Sequence, residues 1–234
     1  MNIQNKEILI FHLNKNNMKT LLKLSTILML TLLSTSIWAQ KVGVRAGLNF
    51  SNIMMDKDEM FGLENKYKPS FNLGLMAEVP FSEMISLETG LIVNGKGFAV
   101  NQKDEDFSYK ANMNLIYADI PLTAKANFDV SGIKVHGVFG PYVGVGILGN
   151  TKGSVTYNGE TEKSNDKIKF GNDAENDDVK RLDFGVILGA GATYSGMEFR
   201  LSYGLGLANI NTDTDTKKFN NSVISLSVGY FLGK

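Results

Sequence analysis

Ten ionisable residues recur at alternate positions within glycine-rich stretches: Arg45, Glu78, Glu88, Asp119, Lys125, Lys134, His136, Asp183, Glu198 and Arg200. Five are carboxylates, four are cations and one is a histidine, a set from which several kinds of chemistry can be assembled. Two carboxylates brought together can do general acid–base work. His136, oriented by Asp119 or Asp183 and joined by a serine, would have the makings of a triad. No nucleophile-elbow motif accompanies it. Mutual neutralisation of charge in an enclosed space accounts for the same ten residues without a substrate. They are read as a structural network, with no catalytic residue and no cofactor expected.

Two further patterns carry possible chemistry. Gly144-Val145-Gly146-Ile147-Leu148-Gly149 fits G-x-G-x-x-G, but a dinucleotide site needs a helix to follow, and Asn150-Thr151-Lys152-Gly153-Ser154 has no helical period. The glycines instead suit a crowded wall. Asp173, Glu175, Asp177 and Asp178 could collect a hard cation, yet the glycine of an EF-hand loop is missing. A solvated acidic loop is expected there, and no metal site. With no cysteine in the chain, disulfides, thiolate zinc sites and thiol nucleophiles are excluded.

The ten residues need elements to hold them, and the spacing says which. Their neighbours alternate with a period of two, the signature of strands whose successive side chains point to opposite faces. The clearest case is Arg181 to Leu207, two arms joined by a turn at Ser195-Gly196. Leu182, Phe184, Val186, Leu188, Ala190, Ala192 and Tyr194 share one face of the first arm; Phe199, Leu201, Tyr203, Leu205 and Leu207 share one face of the second. Similar runs fall at 41–50, 71–79, 85–93, 116–128, 134–148 and 224–231, giving eight strands. Pro80 ends the second, and Pro121 interrupts the fourth, predicting a bulge or an unpaired position. Connections alternate long and short, the long ones being 51–69, 99–112, 149–180 and 209–221. In an up-and-down barrel all the long loops then emerge at one end and all the tight turns at the other, as in outer-membrane barrels.

Upstream, Met18 to Gln40 has Lys19 and Lys23, an apolar run from Leu24 to Leu33, then small and polar residues to Ala39. This is the pattern of a secretory signal peptide, too short to span as a helix. Residues 1–39 are expected to be an upstream extension plus the cleaved signal, and 40–234 the barrel domain. The mature chain then carries 20 basic and 23 acidic residues. That balance offers nucleic acid no basic patch.

Alternation alone does not distinguish a membrane barrel from a soluble lipocalin-like one; the minor face does. Turned to water, its many glycines would weaken surface strands for no packing reason. Turned inward, they make room for charges that pair in a lumen barely wide enough for side chains. Arg45 and Arg200 should then each reach one of Glu78, Glu88, Asp119, Asp183 and Glu198. The other face becomes an apolar belt for lipid, with Tyr194 and Tyr230 at its rim. The expectation is an all-β, eight-stranded antiparallel up-and-down transmembrane β-barrel in the cell outer membrane, monomeric, non-enzymatic, surrounded by lipid and able to offer its long loops to a protein partner. A soluble periplasmic barrel with an apolar ligand and an outer-membrane lipid-modifying or proteolytic enzyme are the alternatives.

Lys41 to Ile53, Gly74 to Pro80, Ile116 to Leu122, Gly140-Pro141-Tyr142 and Gly204 to Ile210 together resemble the PorT-like outer membrane β-barrel domain family common in Bacteroidetes. The resemblance runs in order through residues 40–234. It implies an eight-stranded outer-membrane barrel and no particular mechanism. The chain departs from many outer-membrane barrels in ending Tyr230-Phe231-Leu232-Gly233-Lys234, without a terminal aromatic.

Overall fold

A computed structural model describes residues 41–55, 65–103, 107–213 and 218–232. The expected signal segment and upstream extension lie outside the described residues. Eight strands form the barrel: β1 (Lys41–Met54), β2 (Lys68–Pro80), β3 (Ile85–Lys103), β4 (Phe107–Val130), β5 (Ile133–Tyr157), β6 (Leu182–Tyr194), β7 (Met197–Gly206) and β8 (Asn220–Leu232). Each pairs antiparallel with its neighbours in sequence, and β8 pairs with β1 from Val42↔Leu232 to Met54↔Asn220. The ring is closed, so its backbone groups are satisfied without water, as a bilayer requires.

The tight turns follow from local chemistry. Ser131-Gly132 joins β4 to β5 and Ser195-Gly196 joins β6 to β7, with positive φ at both central residues of each. That is the condition of the primed turns whose twist matches paired strands. Between β2 and β3, the Ser82 hydroxyl accepts hydrogen bonds from the backbone N–H groups of Met84 and Ile85 (3.3 and 3.0 Å).

Alternation sorts the side chains as the residue types demand. Outward positions hold Leu75, Leu188 and Leu201 at 63, 60 and 57% exposure, with Val44, Leu91, Phe139, Phe184 and Leu226 beside them. Inward positions hold buried Glu88, Asp119, Lys125, Asp183 and Glu198. In water this would be an inverted protein. In a bilayer the apolar wall meets lipid, and the soluble-barrel alternative fails on that wall.

Pro121 interrupts less than the sequence suggested. The β4–β5 register shifts between Ile116 and Tyr117, leaving Ile147 as the extra residue, and then runs unchanged past Pro121. On the β3 side, Ile120 and Pro121 drop out of the ladder while the Thr89 hydroxyl donates to the Pro121 carbonyl at 2.8 Å.

Two long connections prove more ordered than their polarity implied. β3 and β4 run through most of the expected 99–112 loop, and β5 continues to Tyr157, turns at Asn158-Gly159 and pairs with a further strand, Glu160–Lys167. A sheet thus projects beyond the barrel at the loop end. The segment that follows folds back, with Phe170–Gly171 pairing parallel to Val179–Lys180. Phe170, Val179 and Ile210 pack there with Ile53, Leu115, Tyr117 and Ala208 as an apolar cap. The Tyr117 and Phe170 rings meet edge-to-face, 5.7 Å apart at 85°.

Candidate functional site

Inward-facing charge fills the middle of the barrel in two groups. The first is organised by Glu88 on β3 and Glu198 on β7. Arg200 clasps Glu88 with both terminal nitrogens, Nη1 to Oε1 and Nη2 to Oε2, each at 2.6 Å. Its Nε donates to Glu198 Oε1 at 2.7 Å. Arg45, across the lumen on β1, reaches Glu88 at 3.1 Å and Glu198 at 3.3 Å. Planar guanidinium groups suit this sharing, since each offers donors in several directions within one plane. Lys125 reaches Glu78 at 2.9 Å and Glu198 at 3.8 Å. His136 Nε2 stands 2.8 Å from Glu198 Oε1 but is poorly directed as a hydrogen bond.

The second group lies toward the cap. Lys96 Nζ sits 3.0 Å from both Asp119 Oδ1 and Asp183 Oδ2, sandwiched over the rings of Tyr117 and Tyr142 at 4.7 and 4.5 Å. The cation therefore meets carboxylates in two directions and the faces of two aromatic rings in others. Asp183 also accepts from Tyr142 Oη at 3.1 Å and Asn221 Nδ2 at 2.9 Å; Asp119 accepts from Asn94 Nδ2 at 2.8 Å. Amides and hydroxyls continue the network from there. Asn49 Nδ2 donates to Asn94 Oδ1 at 3.2 Å, Asn72 Nδ2 to Asn49 Oδ1 at 2.7 Å and Ser227 Oγ to Asn72 Oδ1 at 3.1 Å. A cavity of about 70 Å³, lined by Arg45, Glu88 and Arg200 below and by Lys96, Asp119 and Tyr142 above, separates the groups. Such a volume holds a few waters, not a channel.

Nine of the ten residues singled out in the sequence face this interior. Lys134 does not: it is exposed beside a recess of about 340 Å³ at the short-turn end, with Lys41, Glu83 and Ser195. Position explains this, since the turn at Ser131-Gly132 leaves Lys134 at the strand's outermost inward position. The partner of His136 is Glu198, not Asp119 or Asp183, and no serine hydroxyl is hydrogen-bonded to it among the described residues. The triad geometry is thus missing its nucleophile.

The glycines of the would-be dinucleotide motif lie inside β5, with no helix after them. A Cβ on Gly144 would stand 2.2 Å from Asp119 Oδ1, and one on Gly146 would stand 2.4 Å from the Phe170 ring. They are there to admit a carboxylate and the cap. In the acidic loop, the carboxylates are turned to separate backbone amides: Asp173 accepts from Glu175 N and Asn176 Nδ2, Asp177 from Asp173 N and Asp178 from Lys169 N. The Asn176 amide, with the Glu175 N–H, holds the Asp173 carboxyl below its usual range. Among the described residues no cluster of His, Asp or Glu is arranged to hold a metal ion.

Lys96 is the residue that the sequence reading missed. The apolar alternation at 85–93 stops short of it, although Glu88, Gly90, Ile92, Asn94, Lys96 and Phe98 continue one face without a break along β3.

A family model described as an outer membrane protein β-barrel domain matches residues 38–211. No curated protein matches the chain. Among solved structures, it is similar to the outer membrane protein OprG from Pseudomonas aeruginosa, with 13% identity over 84% of this chain and 97% of that one, at a TM-score of 0.43. It is also similar to the attachment invasion locus protein Ail of Yersinia pestis, with 14% identity over 82% and 98% and a TM-score of 0.36. Neisserial surface protein A gives 13% identity over 81% and 96%, with a TM-score of 0.37.

Proposed function

The chain belongs to the outer membrane β-barrel domain family, and on that premise we propose that it is a sealed, non-enzymatic scaffold that holds its loop-end sheet outside the membrane. The observation that carries this reading is the filled lumen: two groups of paired charge with an apolar cap above them. Eight strands enclose room for side chains and little else. The purified barrel in a planar lipid bilayer should show no discrete conductance steps. Stable, reproducible steps from the unmodified chain would overturn the reading.

Three finer points belong to the same proposal. Residues 1–39 are removed at export, so N-terminal sequencing of the membrane-inserted protein should begin at Gln40. The chain belongs with the PorT-like members of the family, and the five segments named above should align in register with theirs. It is a monomer whose partners, if proteins, meet the long loops; crosslinking on intact cells from probes in the 149–180 connection would capture them. The contact of His136 with Glu198 accounts for the histidine as part of the lumen charge network. Hydrolysis of a lipid or peptide by the purified barrel, lost in His136→Ala and kept in Lys134→Ala, would refute the non-enzymatic reading.

A further inference from the structure

The projecting sheet has a charge pattern that the barrel wall beneath it lacks. Beyond Ile116 and Leu148, outward positions are taken by Lys110 on β4, Lys152 on β5 and Lys163 and Lys167 on the 160–167 strand, all exposed. The register sets Lys167 opposite Asn150 and Lys163 opposite Ser154, which gathers the four ammonium groups on one side of three adjacent strands. Contacts between Asn150 and Asn165 and between Thr156 and Thr161, each at 2.9 Å, show that these neighbours share that side. Carboxylates on the same strand, Glu160, Glu162 and Asp166, alternate onto the opposite side. None of the four lysines makes an ion pair among the described residues. Their charge is left for something outside the protein.

Position says what that is. The face is the direct continuation of the wall that meets lipid. At about 3.3 Å rise per residue and a tilt of about 40°, the lysines stand roughly 5 to 15 Å beyond the last outward apolar residues. A headgroup layer is about 5–8 Å deep. Lysine stems are long enough to lean back toward it. We propose that this four-lysine face docks on the anionic, phosphate-bearing headgroups of the leaflet at the loop end, tethering the projecting sheet to the membrane surface. Juxtamembrane lysines attract anionic lipid through charge that falls off within a Debye length, so the contact is salt-sensitive. The proposal needs only the barrel's place in the membrane and is indifferent to whether its lumen conducts.

The test places the full mature chain in nanodiscs of phosphatidylcholine with one quarter phosphatidylglycerol and identifies the lipids retained on the protein by native mass spectrometry. Phosphatidylglycerol should be enriched several-fold over the disc composition, and the enrichment should fall away at high salt. It should be lost in Lys110→Gln/Lys152→Gln/Lys163→Gln/Lys167→Gln and kept in Glu160→Gln/Glu162→Gln/Asp166→Gln, with heat-modifiable gel mobility confirming that each variant is folded. The milder Lys152→Gln/Lys167→Gln should lose about half of the enrichment and serves if the fourfold variant does not fold. Equal lipid composition in wild type and lysine variant would overturn the proposal. So would lysine-dependent capture of soluble sulfated polysaccharide without lipid enrichment, which would assign the face to a soluble polyanion instead.

Discussion

β4 passes through two environments and obeys opposite rules in each. Below Ile116 its inward residues are polar, Asp119, Thr123 and Lys125, while Ile120 and Leu122 point outward. Above it the inward line is Phe107, Tyr109, Ala111, Met113 and Leu115, and the outward line is Ser108, Lys110, Asn112 and Asn114. β5 makes the same exchange, with Val155 and Tyr157 inward and Lys152, Ser154 and Thr156 outward beyond the bulge. Period-two patterning specifies two faces; the solvent decides which is which. In lipid, a charge must turn inward and find a partner. Beyond the membrane the wall itself is wet, and of the inward line Leu115 and Met113 pack into the cap. The bulge at Ile116/Tyr117 stands where the rule changes over.

The comparison breaks most severely where inward charge loses its partner. Glu88→Ala removes a carboxylate held by both Arg45 and Arg200 and leaves two cations poorly compensated in the lumen. Losing one side of a buried pair costs about 3–5 kcal/mol. Urea unfolding of the barrel in detergent micelles should show at least that loss. A shift below about 1 kcal/mol would mean that water already solvates the lumen charges.

A charge placed outward tests the other side of the rule. Leu188→Arg, midway along β6, puts a guanidinium against the acyl chains and should cost about 2–4 kcal/mol. Asn112→Arg, an outward position beyond the membrane, should change stability by no more than about 0.5 kcal/mol. Equal costs at the two sites would erase the boundary at Ile116. Between these lies Gly191→Ala, whose new Cβ would stand 2.7 Å from His136 Nε2 and 2.3 Å from the Phe199 carbonyl oxygen. Overpacking of that kind costs about 1–3 kcal/mol, read from the same unfolding curves.

Within the membrane the fold was legible because lipid makes alternation stark: a strand such as Leu182–Tyr194 has Phe and Leu on one side and Gly and Asp on the other. Outside it the same period is blurred. Phe107 to Leu115 alternates just as regularly, but the charges at 103–106 and the asparagines between its apolar residues give it the composition of a loop. Lys96 sits at that border, opposite Leu115, where apolar content gives out before the buried residues of the strand do. Phe170 and Val179 were hidden differently. Val179 is a lone apolar residue after an acidic stretch and Phe170 has only Ile168 beside it among charged neighbours, and only three-dimensional closure over the lumen shows that they belong to the cap. Pairing was legible in kind but not in partner, because facing residues come from strands far apart in sequence: Arg200 and Glu88 are separated by 112 positions.

The smallest expected effect decides how far the lumen network extends. Lys134 and Lys125 have inward parity on adjacent strands, yet Lys125 is buried against Glu78 while Lys134 lies open at the short-turn rim. A charge already in water gives up little solvation on folding and contributes little when removed. Lys134→Ala should therefore stay within about 0.5 kcal/mol of wild type, against about 3 kcal/mol or more for Lys125→Ala, which strands Glu78 in the interior. Comparable losses at both positions would mean that the recess at the rim excludes water as the lumen does, and that the charge pairing runs to the short-turn mouth.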